Sequence, residues 1–334
     1  MMWNSFLSRT SIGIIFAFAV FFAQADASDN KAERLFQEGY TLYQQQYSPN
    51  AFVKFKEAAQ LGHAEAAYYA GNILRRNHTY ITEEAEQFYR QAAEGGDVYA
   101  MLRLARKGNF CGTLRNCNYD REEWLERALD SVLPKAEAGD LEAMKDAYSV
   151  YRVSGDKGKA WGWILRAAEG GHAFSQYWVA ILLEEQDMGF YWTEAGRRAD
   201  MLKWLEASAE QGFPKAIFKL ATEYSIDGRF DEATEWVERM GQTDYFDALH
   251  EYGLVLIAGP DGAKNRIQYP EPRPIEGLAV LLALHRETGN PSVKYSIDRH
   301  LNDLDSDTAA KARARSEELL VDTPILHYLP KFGI

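Results

Sequence analysis

The chain has 334 residues, 46% of them hydrophobic and 26% charged, with only 10 Pro, which excludes a disordered tail or a fibrous polymer. That length suits two ordinary domains or one long repeat array. With 49 Asp+Glu against 37 Lys+Arg the net charge is −12, so the basic face that grips nucleic acid or anionic lipid without regard to sequence is not expected.

Residues 1–25 read as a cleaved secretory signal peptide. Arg9 supplies the positive start, Ile12 to Phe22 the apolar stretch, and Ala23-Gln24-Ala25 a small-residue cleavage pattern, with the cut expected before Asp26. The apolar stretch is shorter than the roughly 20 residues of a membrane-spanning helix, so no membrane insertion is expected after cleavage. Asp26 and not Cys stands directly after the cut, which argues against a lipid-modified N-terminus, and the expected compartment is the bacterial periplasm. Both cysteines, Cys111 and Cys117, lie in a Gly- and Asn-containing loop. In an oxidising compartment they are expected to form a structural disulfide. A metal role lacks a second ligand pair, and a redox role lacks the two-residue spacing.

Internal repetition is the strongest signal. Three segments resemble one another: Ala92-Ala93-Glu94-Gly95-Gly96-Asp97, Ala167-Ala168-Glu169-Gly170-Gly171-His172 and Ser208-Ala209-Glu210-Gln211-Gly212-Phe213. Aligned on the last Gly, they extend to seven anchors, namely Gly62, Gly96, Gly139, Gly171, Gly212, Asp244 in place of Gly, and Gly289, spaced 32 to 45 residues apart. Four residues after each anchor stand Ala66, Ala100, Ala143, Ser175, Ala216, Ala248 and Val293. Three residues before stand Ala59, Ala93, Ala136, Ala168, Ala209, Gly241 and Arg286. A Gly just past a helix end takes the left-handed conformation that a Cβ strains, and small residues on both sides let two backbones approach. Asp97, Asp140 and Asn290 are placed to cap the next helix, and Pro214 and Pro291 to open it. Each unit therefore reads as an αα-hairpin with the anchor at its turn. Eight residues before the anchor come Phe88, Trp163, Trp204, Trp236 and Leu281, expected in the core between stacked hairpins.

The run from Trp204 through Ala209, Gly212 and Ala216 to Leu220 resembles the Sel-one-like repeat (SLR), a relative of the tetratricopeptide repeat, and the likeness covers about residues 33 to 300. It implies an all-α, right-handed αα-hairpin solenoid of about seven repeats over residues 26–306, followed by a capping helix and apolar tail over 307–334. The third unit departs from the pattern with Ser131 at the Trp position, the sixth with Asp244, and the seventh is poor in Ala.

Longer spacings mark insertions around Cys111 to Tyr119, around Gln186 to Arg198, and from Ala258 to Pro274. In the last, Tyr269-Pro270-Glu271-Pro272-Arg273-Pro274 reads as an extended polyproline segment that either braces the hairpins or offers a partner a preformed arm. A helix is expected over Thr308 to Leu320, and the tail from Val321 is expected to fold back over the last unit and seal it. No metalloprotease, nucleophile-elbow, phosphate-loop or EF-hand spacing occurs, and the seven His are scattered. The expectation is a non-catalytic chain without cofactor or metal. The resemblance implies a protein partner. Exported relatives include immunity proteins that neutralise type VI effectors, among them phospholipase-type toxins, and others scaffold envelope assemblies such as polysaccharide export. Tyr191, Trp192, Tyr269 and Arg273, aromatic or Arg residues in insertions, are the candidate partner contacts.

Overall fold

The computed structural model describes residues 29–76, 78, 81–106, 121–185, 189–261, 267–301 and 304–332. The expected signal peptide over residues 1–25 and the expected Cys111–Cys117 disulfide lie outside the described residues. Helix α1 spans 29–44 and is followed by helix pairs: α2 (Ser48–Gln60) with α3 (Ala64–Arg76), α4 (Glu83–Glu94) with α5 (Val98–Ala105), α6 (Arg121–Glu137) with α7 (Leu141–Ser154), and α8 (Lys157–Glu169) with α9 (Ala173–Glu184). Then come α10 (Glu194–Glu210) with α11 (Pro214–Ile226), α12 (Phe230–Met240) with α13 (Phe246–Ala258), α14 (Pro274–Thr288) with α15 (Pro291–Leu301), and finally α16 (Ser306–Ser316). Extended pairing among the described residues is one isolated parallel bridge, Tyr245 to Leu326. The chain divides into two compact units, one reaching to Tyr43 and then Tyr47–Trp124, the other made of Gln44–Gln46 and everything from Leu125. Each is a stack of αα-hairpins, the solenoid architecture expected from the repeat.

The turns follow from the anchor residues. At Gly171 φ is +94°, and a Cβ there would meet no atom within 4 Å, so the backbone conformation and not space selects Gly. The amide of His172 donates to Ala167 O at 3.0 Å, closing the end of α8 with a Schellman-type bond. Asp97 and Asp140 then cap α5 and α7, their carboxylates accepting from Ala100 N at 2.8 Å and Ala143 N at 3.0 Å. His63 does the same work for α3, its Nδ1 accepting from Ala66 N at 3.1 Å. Pro214 and Pro291 are the first residues of α11 and α15.

Packing uses the small residues at both register positions. Ala59, Ala93, Ala136, Ala168 and Ala209 before the turn are buried, and so are all seven residues four positions after it. The bulky core residue is where it was expected in the sixth and seventh hairpins, Trp236 and Leu281 both being buried, and lies one position later in the second, fourth and fifth. Phe55, Tyr89, Ile164, Leu205 and Val237, seven residues before their anchors, are fully enclosed, while Trp163 and Trp204 are only half-buried. Position −7 shares a helix stripe with −4 and −3, which face the partner helix; position −8 sits at the border of that stripe. Cations cover indoles at this position, Arg166 lying 4.2 Å from the ring centre of the half-buried Trp163 and Arg239 4.2 Å from that of the buried Trp236.

Three features were not in the repeat pattern. Helix α1 covers the first hairpin, Phe36 and Tyr43 packing against Phe55 and Tyr69 with ring centres 5.1 to 6.2 Å apart. Helices α13 and α14 cross at two glycines: a Cβ on Gly277 would lie 2.5 Å from Gly253 O, so no side chain fits. At the sixth turn, where Asp244 replaces Gly, the connection lengthens to residues 241–245 and the C-terminal tail docks on it. Leu326 N donates to Asp244 O at 2.8 Å, and Leu326 O accepts from Phe246 N at 2.9 Å, so the tail caps α13 where Tyr245 offers no side-chain cap. The last helix starts at Ser306 rather than Thr308, because the Asp305 carboxylate accepts from Asp307 N and Thr308 N, and it ends at Ser316. The tail was expected to seal the last hairpin. Ile325 does pack with Leu281, Leu284 and Val293, but the strand-like part continues to the sixth turn.

Candidate partner-binding site

The insertion between α9 and α10 presents the most exposed large apolar side chains of the second unit. Thr193 starts α10 by accepting from Gly196 N at 3.1 Å, which fixes the chain that precedes it. Within that chain Phe190 is 77% exposed and Trp192 is 91% exposed, their rings edge to face at 5.3 Å. Tyr191 points the other way: its hydroxyl donates to Asp200 Oδ2 at 2.8 Å, and the Arg197 guanidinium lies 5.2 Å from its ring centre. Burial and the Asp200 carboxylate push the Tyr191 hydroxyl up to about 12, so it stays a neutral donor at physiological pH.

Beside this loop lies a cleft of about 320 Å³ lined by Trp161, Leu165 and Glu169 of α8, by Gly189, Phe190 and Tyr191, and by Asp200, Lys203 and Trp204 of α10. Two indoles and two further rings give it apolar walls, and two carboxylates and an ammonium give it a polar rim. Below the loop, α9, α10 and α11 are tied by charge. The buried Glu223 accepts from Arg198 at 2.9 Å and from Lys219 at 2.8 Å, while Lys219 also reaches Glu184 at 2.8 Å and Arg198 reaches Asp227 at 2.7 Å. A rigid base under an exposed aromatic pair lowers the ordering cost of binding, since two-torsion rings on a fixed loop lose little freedom.

Tyr269 and Arg273 are placed differently. Both contact the Glu238 carboxylate of α12, whose other oxygen accepts from the Tyr252 hydroxyl of α13 at 3.1 Å. Arg273 also stacks 4.7 Å from the Tyr269 ring centre, and its amide donates to Leu256 O at 2.6 Å. Gln268 N donates to Ser225 Oγ of α11 at 3.1 Å. Burial and Glu238 push Tyr252 and Tyr269 up to about 12. Of the two readings left open for the polyproline segment, the geometry is that of a brace linking α11, α12, α13 and α14. Trp192 and the braced pair are therefore not one surface. Phe190, Trp161 and Asp200 join the site without having been singled out, as does Trp204, which was expected in the core; the consecutive Phe190-Tyr191-Trp192 inside an insertion was the signal for the first of them. Among the described residues no group of His, Cys, Asp and Glu is placed to hold a metal ion, and no helix is long and apolar enough to cross a membrane.

With turns, small-residue register and hairpins in place, the resemblance to the Sel-one-like repeat holds in the fold itself. No family model matches the chain. An F-box protein of Arabidopsis thaliana is 36% identical over 97 residues, covering 29% of this chain and 26% of its own length. Among solved structures, a protective antigen present in uropathogenic Escherichia coli strains and displaying an SLR fold is similar over 89% of this chain and 62% of its own, at 15% identity and TM-score 0.49. An immunity protein from Pseudomonas aeruginosa is similar over 57% of this chain and 70% of its own, at 16% identity and TM-score 0.38. A Sel1 repeat protein from Oxalobacter formigenes is similar over 64% and 86%, at 22% identity and TM-score 0.35. The chain thus spans 26% of the curated relative it matches and 62% of the antigen.

Proposed function

We propose that this chain is a periplasmic, non-catalytic protein that binds another protein and neutralises it, the partner being a secreted effector of the type VI, phospholipase-type class. The observation that carries the protein-binding part is the exposed Phe190–Trp192 pair, set on an ion-paired base beside an aromatic-walled cleft. Exposed neighbouring aromatics on a well-supported loop have the chemistry of an interface centre. The acidic balance of −12 speeds encounter with a basic partner surface. The compartment follows from the leader at residues 1–25, and the effector class from the repeat family it resembles.

The test is co-purification of the mature chain with candidate effectors, followed by rescue of cells that express the effector in the periplasm. Rescue by the exported form and not by a leaderless form supports the proposal. Rescue independent of the leader removes the compartment. Complex formation unchanged in a Phe190→Ser/Trp192→Ser double variant removes this loop as the contact.

A further inference from the structure

Backbone strain gathers after α16. Among the described residues four that are not glycine hold a left-handed φ, and three of them, Leu320 at +56°, Asp322 at +56° and Tyr328 at +47°, follow that helix. The repeat turns meet the same need with Gly, as at Gly171, whereas the hinge Leu320-Val321-Asp322-Thr323-Pro324 contains none. A left-handed Leu is disfavoured because its Cβ crowds the following carbonyl. Pro324 pushes Thr323 towards extended backbone, and the β-branched Val321 and Thr323 share that preference. The hinge's own residues thus favour an open strand, yet it is folded into a turn in which Thr323 N donates to Leu320 O at 3.2 Å. Its apex is in water, Val321 being 57% exposed.

Both ends of the hinge are pinned. Before it, Leu319 O accepts from Arg286 at 2.7 Å. After it, Ile325 is buried among Leu281, Leu284 and Val293. From there the tail lies in its groove as a bound peptide would. Leu326 pairs through both backbone groups with the sixth turn, and the Tyr328 ring packs edge to face on those of Phe213 and Tyr245 at 6.4 and 5.8 Å. The Tyr328 hydroxyl donates to Asp244 at 2.7 Å, and His327 stacks on Phe246 with ring centres 4.6 Å apart. These contacts hold Tyr328 in its left-handed state, so the docked part carries its own binding energy and draws none from the strained link before it. Nothing in the groove depends on which copy of the chain supplies the tail.

We propose that residues 325–332 exchange reciprocally between two copies of this chain, so that the sixth-turn groove of each holds the other's tail. Opening the hinge lets Leu320 and Asp322 return to extended backbone, and its five residues then reach up to about 17 Å. Every docking contact is regained on the second copy while the hinge strain is not, and short hinges under strain favour such exchange. The pair is closed by a two-fold axis, with no groove or tail left over to propagate. A second copy is the occupant because its tail is the sequence that the structure shows seated in this groove. The inference does not rest on the protein-binding reading above, since Phe190 and Trp192 take no part in it.

The test is sedimentation velocity on the whole mature chain, equilibrated at low and at high concentration. A concentration-dependent dimer is expected. Leu320→Gly/Asp322→Gly accepts the compact hinge without strain, so its dimer association constant is expected to fall about tenfold or more, with a melting temperature no lower than the parent's. Leu326→Pro removes the amide that pairs with Asp244 O and is expected to abolish the dimer. The Gly pair keeps the test valid should that variant unfold. An ordinary contact between folded surfaces would give a dimer indifferent to the Gly pair, and that outcome overturns the exchange. So does a single-copy mass at every concentration, which leaves each groove to its own chain's tail.

Discussion

Two glycines nine residues apart in sequence separate the backbone account of the repeat from a simple account in which every glycine is filler. Gly162 lies inside α8, and Gly171 ends the turn after it. A Cβ at either would meet no atom within 4 Å, so steric crowding is absent from both and only the backbone differs. Gly162 is helical, and Gly162→Ala is expected to stabilise by about 0.5–1 kcal/mol through the smaller conformational freedom of the unfolded chain. Gly171 holds φ at +94°, and Gly171→Ala is expected to destabilise by about 1–2 kcal/mol through the left-handed penalty. The separation of the two variants is therefore about 2 kcal/mol with opposite signs, or several degrees in melting temperature for a unit of this size. Urea melts followed by tryptophan fluorescence read it, since Trp161 and Trp163 flank the first site. The same sign for both variants, or a neutral Gly171→Ala, would refute the argument that the turn demands a left-handed residue.

The remaining predictions concern the tail, pH and the aromatic loop. Ile325 is 3% exposed in the cluster of the seventh hairpin, so Ile325→Ala is expected to lower stability by about 2–4 kcal/mol, measured as a shift in the urea midpoint at unchanged slope. Burial depresses both His172, which faces Glu142, Lys145 and Asp146, and His327, which faces Asp247 and Lys215 and stacks on Phe246. The unfolded chain therefore takes up protons first. Stability is full above about pH 6.5, the ordinary His value, and is lost as pH falls from there towards the depressed folded values. Urea midpoints at pH 7.5 and 5.5 should show this loss, and His327→Gln should reduce it; a rise in stability over the same interval contradicts the sign. Phe190→Ser/Trp192→Ser should change stability by no more than about 0.5 kcal/mol because both rings are in water, while weakening partner binding by about 2 kcal/mol or more in calorimetry.

Turn position and hairpin order were legible because a left-handed residue and close helix contact can be met only by particular residue types, and those recur at fixed spacing. Gly171, Ala168 and Ser175 could be assigned without any knowledge of what surrounds them. Trp236 and Leu281 are buried as expected, but in the fourth and fifth hairpins the bulky core residue is displaced by one because Trp163 and Trp204 stand out in a sequence more than Ile164 and Leu205 do, although a half-buried indole under a cation and a fully enclosed aliphatic side chain satisfy the same hairpin. The polyproline segment could not be decided between brace and arm, since its deciding partner, Glu238, comes from another hairpin.

The breaks in register share a cause, and the seventh hairpin tests it most sharply. Where the repeat expects Ala three residues before the anchor, Arg286 stands instead. Its Nη1 donates to Ser316 O at 2.8 Å and its Nη2 to Leu319 O at 2.7 Å, so it satisfies carbonyls at the end of α16 that the helix leaves open. Asp244 plays the corresponding part at the sixth turn, its carbonyl and carboxylate receiving Leu326 N and the Tyr328 hydroxyl. In both places a residue that spoils the repeat holds a segment from beyond it. Arg286→Ala restores the repeat's own preferred residue, so a pure register argument expects it to stabilise. The geometry expects the opposite, a loss of about 1–3 kcal/mol from two hydrogen bonds to a charged donor. Hydrogen exchange in residues 306–316 should rise while that of α8 and α9 stays unchanged. Equal protection of α16 in the variant would mean that Arg286 is incidental and that apolar packing around Ala312 alone holds the last helix.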